Sequence, residues 1–291
     1  MPELEMVSRE LRFGIEIESI IHIPRLSTEA ETTFAAAVKL FVDRLVEDGL
    51  DLSKNHSIRE YRNYSRWTMM SDGSIKYDQK KEEYGVEIVS PIPTFVDRAQ
   101  WHSQLDIVFS ALQADPFHAI SSETCGTHVH ISLETGWSLT DLRNISQGSM
   151  FFAAELDKLA EKVGRKDNQF AIVNKNSPLH HGKTTTEILA RIANATTTEE
   201  LIDAICPVSN EQDPRYYQWS LWSITGLDGD LFGEPCDDPE IPFHPDTNTS
   251  VGKLGTIEFR LPPDVLTTEA ATTWIDFANL FILACVRTTA A

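Results

Sequence analysis

Apolar and polar residues alternate with a period of two in four separate stretches, and each reads as a strand with one buried face. In FGIEIE, Phe13, Ile15 and Ile17 point one way and Glu16 and Glu18 the other. In YGVEIVSP, Val86 and Ile88 oppose Glu87. In CGTHVHISL, Val129 and Ile131 alternate with His128, His130 and Ser132. In GTIEFRLPPD, Ile257 and Phe259 alternate with Glu258 and Arg260. These predict strands over 11–21, 84–89, 126–133 and 255–261. Shorter strands are expected at 67–70 and 75–77, joined by the turn-forming pair Asp72-Gly73, and another at 216–224. Helical spacing covers 28–47, capped by Ser27 or Thr28 and closed by Gly49, and recurs over 94–113, 139–163 and 268–287. Residues 177–205 mix loop with short helices, and 228–248, crowded with glycine, proline and acid, read as exposed loop. Strands and helices do not alternate strictly, so the pattern predicts an antiparallel α+β fold rather than a doubly wound parallel sheet. No repeat or linker interrupts the 291 residues, and a single domain, 1–291, is expected.

Charge narrows the partners. Lysine plus arginine total 25 against 44 aspartate plus glutamate, a net charge of −19. Such a surface repels phosphate backbones and anionic lipid, which argues against nucleic-acid and membrane-surface partners. A small anion remains compatible if metal ions stand between it and the carboxylates. The four cysteines (Cys125, Cys206, Cys236, Cys285) form no CxxC pair, so neither a zinc knuckle nor a disulfide scaffold is indicated. The start, MPELEMVSRE, lacks the apolar stretch of a signal peptide. The apolar run 274–286 is interrupted by Asp276 and Asn279 and reads as too short to span a bilayer. A reducing, cytoplasmic setting is expected; the oligomeric state is left open.

Alternation alone is what any half-solvated antiparallel strand shows. The company of these strands changes the picture. Carboxylates gathered on one sheet face repel one another and need a cation between them. Carboxylate oxygens with an imidazole suit magnesium or manganese better than structural zinc. Arg260, beside Glu258 on the same face, can grip a phosphate or carboxylate with its planar fork. One rival motif, His181-Gly182-Lys183-Thr184, is like the end of a phosphate-binding P-loop. That loop needs glycine where Ser177 stands, and Pro178 removes an amide donor, so it is set aside.

The ordered set FGIEIE, SDGSI, YGVEIVSP, CGTHVHIS and GTIEFR resembles the amidoligase family, a distant relative of glutamine synthetase and glutamate–cysteine ligase. The motifs span Phe13 to Arg260. THVHISL is similar to the G-x-H-x-H-x-S-L strand of glutamine synthetase, and TIEFRLPPD to its Glu-x-Arg-x-Pro-Asp strand. The resemblance implies a curved, mainly antiparallel sheet with helices on its outer face, a glutamine-synthetase-like catalytic core. It also implies an ATP-dependent ligase that joins a carboxylate to an amine through an acyl phosphate, with two magnesium or manganese ions. Glu16 and Glu18 would each hold metal, Glu87 would complete the first site, and His128 and Glu258 would hold the second. Val89 stands where glutamine synthetase has a second glutamate. His130 and Ser132 would line the nucleotide, Arg260 would meet the transferring phosphoryl group or the substrate carboxylate, and Asp72 would handle the incoming amine. Arg165 and Arg215 fall where the family carries basic residues and are both candidates, Arg215 for a nucleotide contact, while for Arg165 a solvent-exposed arginine is the favoured reading. A metal-dependent hydrolase, or a non-catalytic metal–nucleotide-binding module, could use the same cluster. The acid and the amine are not encoded in these motifs.

Overall fold

In the computed structural model, which describes residues 11–23, 34–52, 65–70, 72–207, 214–224 and 255–287, strand β1 (Leu11–His22) occupies the middle of the sheet. Its β-branched residues favour the extended backbone, and alternation sorts its side chains between two faces. Along the sheet the order is β2 (Thr68–Met70), β3 (Glu83–Val89), β1, β5 (Thr127–Leu133), β7 (Ile257–Phe259) and β6 (Trp219–Ser220), while β4 (His118–Ile120) pairs with the far end of β1. Neighbouring strands run antiparallel. This open, mainly antiparallel sheet with seven α-helices among the described residues is the α+β class that the pattern predicts.

One face of the sheet is the core. Leu11, Phe13, Ile15 and Ile17 of β1 join Val86 and Ile88 of β3, Val129 and Ile131 of β5, and Ile257 and Phe259 of β7. Each such side chain contributes about 1.5–3 kcal/mol by leaving water. Helices α1 (Phe34–Glu47) and α2 (Arg98–Gln113) cover part of this face, and the terminal helix α7 (Thr268–Arg287) covers the rest. Ala271, Ile275, Ala278 and Ile282 form the buried stripe of α7, spaced at three to four residues as helix geometry requires. Trp219 and Phe259 lie side by side on β6 and β7 with ring centroids 4.3 Å apart, and Phe281 of α7 stacks on Trp219 at 4.7 Å. Residues 268–286 of α7 are long and apolar enough to cross a membrane, so the run read from sequence as too short is part of a longer helix. Here its apolar stripe is packed on the sheet.

The remaining helices, α3 (Leu139–Phe151), α4 (Ala153–Lys162), α5 (Thr185–Asn194) and α6 (Thr198–Ile205), form a layer that meets α7 through α3. The single helix expected over 139–163 is two, because Phe152 leaves the helical region (φ −89°, ψ 10°) and its ring packs on Phe281 instead. Helix α2 begins at Arg98, not 94, since Thr94 still bridges to Arg12 and Phe95 N–H donates to Leu11 O. No strand forms at 75–77. The Asp72 side chain accepts from Ser74 N–H at 2.5 Å, and Ile75 and Tyr77 then lie across Gly85, where a Cβ would come within 2.8 Å of both. Only two residues of 216–224 pair as strand, between two 3-10 turns. The P-loop-like segment has a local job: Thr184 caps α5 reciprocally with Glu187. The start expected for α1 (28–33) and the loop at 228–248 lie outside the described residues, as do residues 53–64.

Helices α3 and α7 cross closely at Gly148, where an added Cβ would sit 2.4 Å from Cys285 Sγ. Gly148→Ala should therefore destabilise the fold by about 1–3 kcal/mol through overpacking. Pairing it with Cys285→Ala should recover most of the loss in a chemical-denaturation measurement. A single variant as stable as the parent would mean that the helices separate at little cost.

Candidate active site

Register assembles the opposite face of the sheet. Across β1 and β5, Glu16 is the partner of His128 and Gly14 of His130; across β5 and β7, His130 is the partner of Glu258. Across β1 and β3, Glu18 faces Glu87 and Glu16 faces Val89. Glu16, Glu18, Glu87, His128, His130, Glu258 and Arg260 therefore share the polar face because their strand neighbours are committed to the core.

The side chains fall into two levels. His128, 2% exposed, lies deepest, with Nδ1 at 3.2 Å from Glu16 Oε2 and 3.5 Å from Glu258 Oε1, and Nε2 at 3.8 Å from Glu18 Oε1. The other oxygen of Glu18 accepts from Gly126 N–H at 2.7 Å. Above them, His130 Nε2 stands 3.1 Å from Glu16 Oε1 and 3.7 Å from Glu258 Oε1. That nitrogen is buried and makes no hydrogen bond of acceptable geometry, while Nδ1 meets Thr256 Oγ1 at 3.3 Å and fixes the ring. One ligand atom from each of Glu16, His130 and Glu258 lies within 4.8 Å of the others. An orphaned imidazole nitrogen between two carboxylates is a donor set that fits one divalent cation.

Electrostatics follow the same division. Burial opposes ionisation of Glu16, but His130 and His128 beside it hold its carboxyl well below the usual range. Burial likewise opposes charge on His130, yet Glu16 and Glu258 win and raise it to about 9. Glu18 is pushed up by burial, with Asp72 adding to it, against the pull of His128 and Arg260. Glu87 is pushed well up by burial and then by Glu16, Asp72 and Glu18. Without a bound cation, His130 carries the compensating proton.

These groups meet a cleft of about 550 Å³. Glu16, His130 and Glu258 line it together with Arg260, Arg215, Tyr216 and Phe170 on the β7–β6 flank and the Asp72–Ser74 turn that follows β2 on the other. Arg260 pairs with Glu258, donates from Nε to Phe170 O at 3.1 Å, and lies over the Tyr216 ring at 5.6 Å. Arg215 lies over the same ring at 5.7 Å. Ser132 lines a smaller, mostly apolar pocket that shares Glu16 and His130 with the cleft and runs over Gly14 to Val89 and Ile92. Glu18, Glu87 and His128 do not line the cleft; they stand beneath or beside its floor.

Four features go beyond the motif reading. His130 joins the metal-competent trio rather than serving only the nucleotide side. Tyr216 and Phe170 build the wall behind Arg260, and no short motif marks them. Arg165 is not a surface residue: it is 4% exposed, and its guanidinium donates to Cys125 O at 3.0 Å. Burial lowers it to about 10, with Glu18 foremost among the charges that hold it up, so it stays cationic at neutral pH. Asp264, the acid of RLPPD, is raised to about 7 by burial and then by Glu18.

A pH dependence follows. His130, Asp264, Glu18 and Glu87 all hold protons more tightly folded than unfolded, so their contribution is full at low pH and is lost as pH rises through about 7 for Asp264 and about 9 for His130. Glu16 has the opposite sign, and its contribution is already complete above the ordinary carboxylate range. His180, lowered by burial, also has the opposite sign, and its contribution is complete above the ordinary histidine range, so metal-free protein should show a falling melting temperature between about pH 7 and pH 9. Scanning calorimetry in chelator checks this; a flat or rising profile would mean that the cluster is not strained by its own charge.

A family model described as "putative amidoligase enzyme" matches residues 9–282, a span that includes every strand among the described residues and most of the terminal helix. No curated protein matches the chain. The matched span carries the glutamates and histidines of the cleft floor together with Arg260 on its wall. The chain belongs to the amidoligase family, a family of amide-forming ligases.

Proposed function

We propose that the protein is an ATP-dependent carboxylate–amine ligase working through an acyl phosphate. The observation that carries the reading is the trio Glu16, His130 and Glu258, with its orphaned Nε2, at the floor of a cleft flanked by two guanidiniums. Family membership supports amide formation and small-molecule or peptide substrates.

Glu16, His130 and Glu258 would hold one magnesium or manganese ion; Glu18 and Glu87, strand partners across β1 and β3, would serve the second that the resemblance implies. Bound metal would neutralise polyphosphate charge and orient the γ-phosphate. The protein's own groups do the rest. Arg260 is held at the cleft wall by Glu258, Phe170 O and Tyr216, and its remaining donor would meet charge that develops during transfer. The substrate carboxylate oxygen attacks the γ-phosphorus and ADP leaves. The amine nitrogen then attacks the acyl carbon, loses a proton and expels phosphate. Asp72, on the facing turn, would bind the ammonium form and take the proton whose loss frees the nitrogen lone pair for attack, and the second proton would leave with the expelled phosphate. Ser132 and the small apolar pocket beside His130 would border the nucleotide rather than enclose its base and ribose, which would lie in the larger cleft.

Arg260→Lys should bind manganese and ATP nearly as the parent does, while ADP release with a pool of amino acids and short peptides falls about a hundredfold. Glu16→Gln should abolish the thermal stabilisation by metal and nucleotide, about 2.7 kcal/mol at 100 times the dissociation constant. Equal ADP release from the parent and Arg260→Lys would take Arg260 out of the reaction. Binding without any ADP release points to a non-catalytic module, and metal-dependent hydrolysis that ignores ATP points to a hydrolase.

A further inference from the structure

Helix α4 ends in a turn that drives the next side chain inward. Gly164 takes a left-handed backbone (φ 73°), Gly164 N–H donates to Glu161 O, and Arg165 N–H donates back to Ala160 O at 2.7 Å. The reversal sends Arg165 into the protein, toward the segment that enters β5. Its Nη1 meets Cys125 O at 3.0 Å, and Asn168 ties the same two segments through Glu123 O at 3.1 Å.

The carbonyl of Cys125 and the N–H of Gly126 belong to one peptide group. Arg165 donates to the oxygen of that group, and its N–H donates to Glu18 at 2.7 Å. A cation at the carbonyl end of a peptide polarises it, and a polarised N–H binds a carboxylate more strongly. Gly126 is required for this arrangement: a Cβ there would lie 2.9 Å from Arg165 Nη2 and 3.0 Å from His128 Nε2. Glu18 in turn faces His128, whose other nitrogen faces Glu16 and Glu258 at the cleft floor. A line of contacts thus runs from a residue outside the cleft to the groups inside it.

We propose that Arg165 is a positioning residue for the site: acting through the Cys125–Gly126 peptide it fixes Glu18, and through Glu18 and His128 it fixes the carboxylates of the cleft floor. The metal part of this inference rests on the reading of that floor as a cation site. Groups that orient ligands from behind typically change metal affinity tenfold to a hundredfold when removed.

The test uses the full chain labelled with ¹⁵N-glycine, without substrate, and manganese alone as the probe. In the parent, the Gly126 amide proton should resonate downfield, as a donor to a carboxylate does. Glu18→Gln and Arg165→Met should each move it upfield, and Arg165→Lys, which keeps the charge and one donor, should restore most of the shift. By calorimetry, Arg165→Met should bind manganese about ten- to a hundredfold more weakly, with lysine intermediate. If Arg165→Met does not fold, Arg165→Met with Asp264→Asn, which removes the charge and its acidic neighbour together, is read in its place. An unmoved Gly126 resonance in the methionine variant overturns the inference, as does unchanged manganese affinity. If the parent itself binds no manganese, the cation reading of the floor falls, and the Gly126 resonance alone decides the role of Arg165.

Discussion

Everything at the site depends on the register of β1. A strand turns successive side chains to opposite faces, so the pairing that sets Glu16 against His128 and Glu18 against Glu87 also commits Phe13, Ile15 and Ile17 to the core. A slip of one residue would place the glutamates among the helices and the isoleucines in the cleft. The apolar burial on one face, at about 1.5–3 kcal/mol per side chain, is thus what holds mutually repelling charges in place on the other. Residues flanking the strand pairings strengthen the lock: Ile15 N–H donates to Ser90 Oγ at 2.9 Å, and Glu18 N–H donates to Gly126 O at 3.0 Å.

Such a face would not be tolerated without internal cations. Two like charges about 4 Å apart cost about 4 kcal/mol at an effective dielectric near 20. The protein answers at two depths. Below the floor the cation is Arg165, which reaches Glu18 through a peptide group, while His128 meets Glu16 as a hydrogen-bond partner. At the floor, His130 and Arg260 face Glu16 and Glu258. The lower level is sealed and its partners are fixed. The upper level opens to a cleft, and its histidine nitrogen has no settled hydrogen bond.

Much of this was legible in sequence because it is written in period-two alternation. Glu16, Glu18, Glu87, His128, His130, Glu258 and Arg260 could each be assigned a face from their immediate neighbours. Which of them reach the cleft could not be, since depth along a shared face depends on strand twist and on what lies at the strand ends. Arg165 was misjudged for a related reason. Its burial follows from a left-handed glycine and from contacts with Cys125, 40 positions away, and neither leaves a periodic trace. The absence of a strand at 75–77 has a tertiary cause too, the lack of a side chain at Gly85 that lets Ile75 and Tyr77 cross β3. Strand β4 escaped because its residues are partly or fully exposed, so it carries no alternation to read.

The acidity of the chain and the proposed use of a polyphosphate are two sides of one device. With a net charge of −19 and carboxylates on the cleft floor, the protein repels a bare nucleotide at long range and at contact. The guanidiniums of Arg215 and Arg260 sit on one flank, and Arg260 is already paired with Glu258. Cationic attraction from that flank alone is therefore partly spent. On the proposed reading, Glu16, His130 and Glu258 would hold a divalent ion in place of the His130 proton, which would neutralise the excess negative charge of that trio and give Glu258 a cationic partner besides Arg260. The Arg260 guanidinium would then be freer to meet the transferring group, which would link metal loading to the use of Arg260.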